Sequence, residues 1–151
     1  MKIMIAYDCS RNAKLALAQV VTLFKRLEPV LLLVGVAENP RDSTSINDAL
    51  FEKEMDELKA GMDEALDFCK NESIEAHAYL SEGDPRKQIL AATKKHLPDM
   101  LVVARHSHQP DGGFIARSLT YFVDEVDYMT FGSVSAFLAR RVECPLLVLP
   151  S

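Results

Sequence analysis

Apolar residues gather in five short runs, separated by stretches in which they recur every three or four positions. The runs are Lys2 to Tyr7, Pro29 to Ala37, Ile74 to Leu80, Asp99 to Arg105 and Cys144 to Pro150. Several are almost unbroken in Val, Leu, Ile and Met, the pattern of strands buried on both faces of a parallel sheet. Ile74 to Leu80 differs. Its Ile74, Ala76, Ala78 and Leu80 fall on one side and Glu75, His77 and Tyr79 on the other, which predicts an edge strand.

Between the runs the period turns helical. Ser10 is placed to cap a first helix whose Ala13, Leu17, Val20, Val21, Phe24 and Leu27 form one stripe, and Pro29 marks its end. Ser45 to Lys70 carries Leu50, Met55, Leu58, Met62, Ala65, Leu66 and Cys69 on one face and charged residues on the other. A third helix follows Gly83-Asp84-Pro85, with Asp84 as N-cap, Pro85 in the first position and Pro98 closing it. A fourth opens at Gly132-Ser133 and runs through Val134, Phe137, Leu138 and Val142 to Glu143.

Strands alternating with helices predict right-handed crossovers and an α/β fold with a doubly wound parallel sheet. With the first strand central and the order 3-2-1-4-5, a crevice opens between the carboxyl ends of strands one and four. Asp8 and the stretch after Val103 then face each other across it. Neither a second domain nor an internal repeat is expected, so residues 1 to 151 read as one domain.

The connection from Ala104 to Gly132 is unusually long. His108-Gln109-Pro110-Asp111-Gly112-Gly113 is turn chemistry. Ile115, Leu119, Phe122, Val126 and Met129 then recur at four, three, four and three residues, with Val123 on the same face, which predicts an inserted amphipathic helix. A helix this short is not stable alone. Its stripe either lids the crevice or meets a protein partner, and Phe114, Tyr121, Phe122, Tyr128 and Phe131 favour the partner. A third reading leaves it as local packing only.

Composition narrows the function classes. At 151 residues one core suffices, and 48% apolar with 26% charged residues is ordinary for a globular domain. A net charge of -5 argues against nucleic-acid binding, which relies on excess Lys and Arg. It does not exclude a nucleotide cradled by backbone amides. The apolar run near Val30 to Ala37 falls short of the roughly 20 residues of a membrane span, and MKIMIAYDCS is too brief for a secretory signal. Cys9, Cys69 and Cys144, odd in number and scattered, suit reduced thiols. A cytoplasmic protein without zinc is expected.

Five stretches carry a family resemblance: KIMIAYDCS, LLLVGVAENP, SEGDPRKQIL, PDMLVVARHS and, most specific, GSVSAFLARRVECPLLVLP. Across essentially the whole chain the sequence resembles the universal stress proteins. The resemblance implies a Rossmann-like, five-stranded parallel sheet of the adenine nucleotide alpha hydrolase-like kind. It also implies a homodimer in which the last strands, here Cys144 to Pro150, pair antiparallel. The ligand it implies is ATP or ADP. Members that bind ATP carry Gly, two residues, Gly, nine residues, then Gly-Ser or Gly-Thr, and members lacking this often fail to bind. Here Ala104 and Ser107 stand at the glycine positions, and positions 108 to 131 put 24 residues where the family has nine.

The candidate binding residues follow from that resemblance, each beside a plainer role. Asp8 would accept from a ribose hydroxyl, or would simply cap the first helix with Ser10. Val36 would offer its backbone to the adenine edge, or serve as a core valine. Ala104 and Ser107 lack the freedom of glycine, which weakens a tight phosphate loop. Arg105 and His106 add positive or titratable character nearby. Gly132, Ser133, Val134 and Ser135 keep a helix amino end suited to an anion, or Ser133 merely caps that helix.

His106 and His108 with Asp111 are a weak metal or acid-base signal, and His77 and His96 read as surface residues. No G-x-S-x-G elbow or G-x-x-x-x-G-K-S/T loop is present. Gly83 to Lys87 reads as a helix start, for want of a second glycine. The expected function is a non-enzymatic stress-response regulator with a degenerate adenine-nucleotide crevice, acting through homodimerisation and partner binding. The alternative is an ATP/ADP-binding stress sensor with a remodelled phosphate loop, and an ATP- or phosphate-processing enzyme stands third.

Overall fold

The computed structural model describes residues 1–38, 45–105 and 133–150, with backbone alone for 45–48 and 133. Strands β1 (Lys2–Ala6), β2 (Val30–Ala37), β3 (Ala76–Glu82), β4 (Met100–Ala104) and β5 (Leu146–Leu149) form one parallel sheet in the order β3-β2-β1-β4-β5. This is the predicted order, with β1 central and β3 at an edge. The unbroken apolar runs follow from helices on both faces. Ile3 and Ile5 of β1 join Leu31 and Leu33 in the layer shared with α1 (Arg11–Phe24) and α2 (Ser45–Asn71). Met4 points the other way, with Leu32, Leu101 and Val103, toward α3 (Pro85–His96) and α4 (Ser133–Ala139). Each such side chain contributes roughly 1.5–3 kcal/mol by leaving water.

The helix boundaries have local causes. Ser10 accepts the Ala13 N–H at 3.2 Å and starts α1. Asp84 accepts the Arg86 N–H at 3.0 Å ahead of Pro85 and starts α3. That helix ends on Leu97, held at φ 46° before Pro98.

Four expectations need correction. Leu27 leaves the α1 stripe: it lies in the 3-10 turn Lys25–Leu27 and is 60% exposed. Leu50 is 61% exposed, because α2 overhangs the sheet. Its 27 residues span about 40 Å at roughly 1.5 Å each, whereas the eight residues of β2 span about 26 Å. Ile74 is buried but sits in the turn before β3. The fourth helix stops at Ala139, four residues before Glu143, and the Val142 N–H closes a turn onto the Leu138 carbonyl at 2.9 Å. Pro145 disfavours helical backbone at Cys144, so the chain must already be turning toward β5 there.

The inserted helix expected over Ile115 to Met129 lies outside the described residues. Among the described residues no helix is long and apolar enough to cross a membrane.

Candidate functional site

Where β1 sits between crossovers to opposite faces, the helices part and a cleft of about 630 Å³ opens at the carboxyl ends of the strands. Ala6 at the end of β1 and Tyr7 just after it, Val34 and Val36 of β2, and Val103 and Ala104 of β4 form its floor. The turn Asp8-Cys9-Ser10 and Ala13 make one wall, and Glu54, Glu57 and Leu58 of α2 another. Glu38, then Pro85 and Ile89 of α3, and Val134 and Ser135 of α4 complete it.

The turn after β1 is tightly specified. Asp8 Oδ1 accepts the Ser10 N–H at 3.0 Å, so the turn-forming role of this carboxylate is real. The carboxylate is exposed and lines the cleft as well, so the two roles are compatible. Cys9 takes a left-handed φ of 63°. Its Sγ reaches toward the Leu58 carbonyl at 3.7 Å and packs on Gly61, where any Cβ would lie 2.4 Å from the sulfur. Gly61 therefore lets α2 approach the turn, and that approach forms the corner of the cleft.

Electrostatics at the cleft are one-sided. Asp8, Glu38, Glu54 and Glu57 line it, and among the described lining residues none is Lys, Arg or His. Lys53 pairs with Glu57 at 3.6 Å on the open surface. Arg86 is held by Asp84 through contacts of 3.0 and 2.9 Å. Burial, reinforced by the charge of Asp8, raises the Cys9 thiol above its usual range and keeps it protonated. Burial, with the charges of Cys9, Glu64 and Asp8 behind it, pushes Tyr7 up to about 12. Among the described residues no three His, Cys, Asp or Glu side chains stand close enough to hold a metal ion.

Of the residues singled out from sequence, Asp8, Val36, Ala104, Val134 and Ser135 line this one cleft. Arg105 does not. Its N–H donates to the Leu149 carbonyl at 2.8 Å, its carbonyl accepts from Asn12 Nδ2 at 3.4 Å, and its side chain is exposed beyond the end of β4. Ser133 opens α4. Ser107, Gly132, His106, His108 and Asp111 lie outside the described residues.

His77 is exposed and pairs with Glu75 at 3.0 Å. His96 is no simple surface residue: its Nε2 is buried without a partner, and its ring meets Tyr79 edge-on at 5.0 Å. Sequence reasoning missed Cys9, Glu38, Glu54, Glu57, Pro85 and Ile89 as cleft residues. A signal did exist for α2, since Glu54, Glu57 and Leu58 share one helix face at i, i+3 and i+4.

The sequence model of the Universal stress protein family matches residues 1–150. No curated protein matches the sequence. Among solved structures, the universal stress protein UspA from Lactobacillus plantarum is 18% identical, with 99% of this chain and 97% of that one covered and a TM-score of 0.78. A universal stress protein family protein from Arabidopsis thaliana with AMP bound is 21% identical, covering 99% and 91%, with a TM-score of 0.63. A universal stress protein in complex with cAMP is 17% identical, covering 99% and 96%, with a TM-score of 0.66. At such identities the likeness to these structures is one of fold.

Proposed function

The chain belongs to the universal stress protein family, and from that premise we propose that it is a non-enzymatic stress-response regulator whose cleft takes an adenine nucleoside or nucleotide. One observation carries the reading: Asp8, Val36, Ala104, Val134 and Ser135, distant in sequence, line a single cleft at the strand ends. Its volume of about 630 Å³ lies within the range of small-molecule sites. Relatives of the same fold are described with AMP or cAMP bound. The crevice is degenerate at the phosphate end, where Ala104 and Ser107 replace glycines.

The regulatory, non-enzymatic part rests on the chemistry of the lining. Ser10 Oγ is engaged by the Ala13 N–H, the Cys9 thiol is kept protonated, and no described lining residue is a His or Lys that could activate either. The protein works in the cytoplasm as a homodimer through the last strand, Cys144 to Pro150, with a protein partner at Ile115 to Met129. Three free cysteines and a net charge of -5 agree with that compartment and with partners other than nucleic acid.

Calorimetric titration with adenosine, AMP, ADP and ATP tests the reading. Binding by at least one is expected, weakened about tenfold by Asp8→Asn, which removes the charge-assisted bond to a ribose hydroxyl. No heat with any of the four would refute it. Tight ATP or ADP binding would favour the second reading, a nucleotide sensor with a remodelled phosphate loop. Sustained phosphate release would revive an enzyme.

A further inference from the structure

We propose that the cleft discriminates by charge, taking the uncharged or weakly charged adenosine class ahead of ATP, with Glu38, Glu54 and Glu57 setting that order. The inference rests on the nucleoside-binding reading above and specifies which ligand fits it.

Four carboxylates face the cleft, three of them outside the Asp8 turn: Glu38 just after β2, and Glu54 and Glu57 in the middle of α2. Among the described residues their charges are only partly compensated. Lys53 meets Glu57 with both side chains about 70% exposed (73% and 69%), where a pair is screened by water. Arg86 is forked onto Asp84 and lies close enough to Glu38 to offset part of its charge as well. Lys14 pairs with Glu64 at 3.2 Å, so neither brings a net charge to the cleft. Among the described residues no three of these donors stand close enough together to hold a metal ion.

Among the described residues the attraction on offer at the other side is smaller. The amino end of a helix supplies at most roughly +0.5 of a charge, and α4 has only 7 residues. Against it stand the four carboxylates of the described lining, with Glu57 partly offset by Lys53 and Glu38 by Arg86. For the sugar and base this balance matters little. A triphosphate must enter the same field with up to four negative charges of its own, so repulsion wins as the phosphate chain lengthens. Val34, Val36, Leu58 and Ile89 supply the apolar surface that a base needs.

The test is a set of titrations of the full chain with adenosine, AMP and ATP, in EDTA so that the phosphates keep their charge. At about 0.1 M salt the expected order is adenosine, then AMP, then ATP, with ATP at least about tenfold weaker than adenosine. At about 1 M salt, where the screening length falls to roughly 3 Å, the ratio should shrink toward unity. The double variant Glu54→Gln, Glu57→Gln should lower the ratio of ATP to adenosine dissociation constants by about three- to tenfold. The double variant Asp63→Asn, Asp67→Asn removes the same charge from α2 away from the cleft and should leave that ratio alone.

A native protein that binds ATP as tightly as adenosine overturns the proposal while leaving the nucleoside reading intact. So does an equal response from the two double variants. Failure to bind any of the three overturns both.

Discussion

Gly61→Ala should change the sign of its effect according to what stands at Cys9. In an exposed helix the replacement would stabilise by about 1 kcal/mol through propensity. Here the new Cβ falls 2.4 Å from the Cys9 sulfur and 2.8 Å from its Cβ, against an optimum of roughly 3.5–4.0 Å between carbon atoms. Cys9 cannot simply step aside. Its backbone is fixed at φ 63° by the turn of Asp8 and Ser10, and Gly61 and Leu58 flank the sulfur.

The overpacking should cost about 1–3 kcal/mol, outweighing the propensity gain and leaving a net loss of up to about 2 kcal/mol. In a Cys9→Gly background both clashing atoms are gone and the left-handed backbone suits glycine. There the alanine should stabilise by up to about 1 kcal/mol. Urea denaturation of the four proteins gives the coupling directly, expected at about 1–3 kcal/mol. Additivity within about 0.5 kcal/mol would refute the claim that Gly61 exists to let α2 reach the turn. Glu57 and Leu58 lie one turn before Gly61 on the cleft wall, so the alanine should also weaken adenosine binding in the native background.

Other expectations concern the core and pH. Leu138→Ala, at a side chain with 0% exposure that ties α4 to the sheet, should cost about 2–5 kcal/mol in the same denaturation assay. Gly35→Ala places a methyl 2.5 Å from the Met62 Cε, with Leu80 and Leu58 at 3.0 and 3.2 Å. The Met end is flexible but buried, so a loss of about 1 kcal/mol is expected, partly restored by Met62→Ala. Burial foremost, then Lys95 and Lys2, lowers the pKa of His96. The unfolded chain therefore binds this proton more tightly. The contribution is present above the unfolded value of roughly 6.5 and lost as pH falls through the folded one. Comparing denaturation at pH 7.5 and pH 5, His96→Phe should lose less stability than the native protein, and equal losses would count against the effect.

Much of the scaffold was legible because hydrophobic period reports burial directly. β1 and β2 read as unbroken apolar runs since each is covered on both faces, and Ser10 and Asp84 announced the helices they start. What was misread has a common cause: a stripe records which residues can be buried, and length relative to neighbours decides which are. Leu50 has the right spacing but lies where α2 has outrun the sheet, and Leu27 drops out of its stripe where α1 tightens into a 3-10 turn. His96 looked like a surface residue because nothing local says that Tyr79 of an edge strand will cover its ring.

The same division holds for the site. By itself the sequence determined the five strands and the residues at the strand ends, because each depends on periodicity, capping or a turn within a few positions, whereas the order of the strands, taken there as a supposition, is fixed by the packed sheet. Only the tertiary structure decided that Glu54 and Glu57 share a cleft with Asp8, that Gly61 receives the Cys9 sulfur, and that Arg105 is exposed and not part of the cleft lining. Those facts depend on how far α2 extends past β2 and how closely it approaches the β1 turn. Such distances are fixed by packing between elements about fifty residues apart, and no local pattern encodes them.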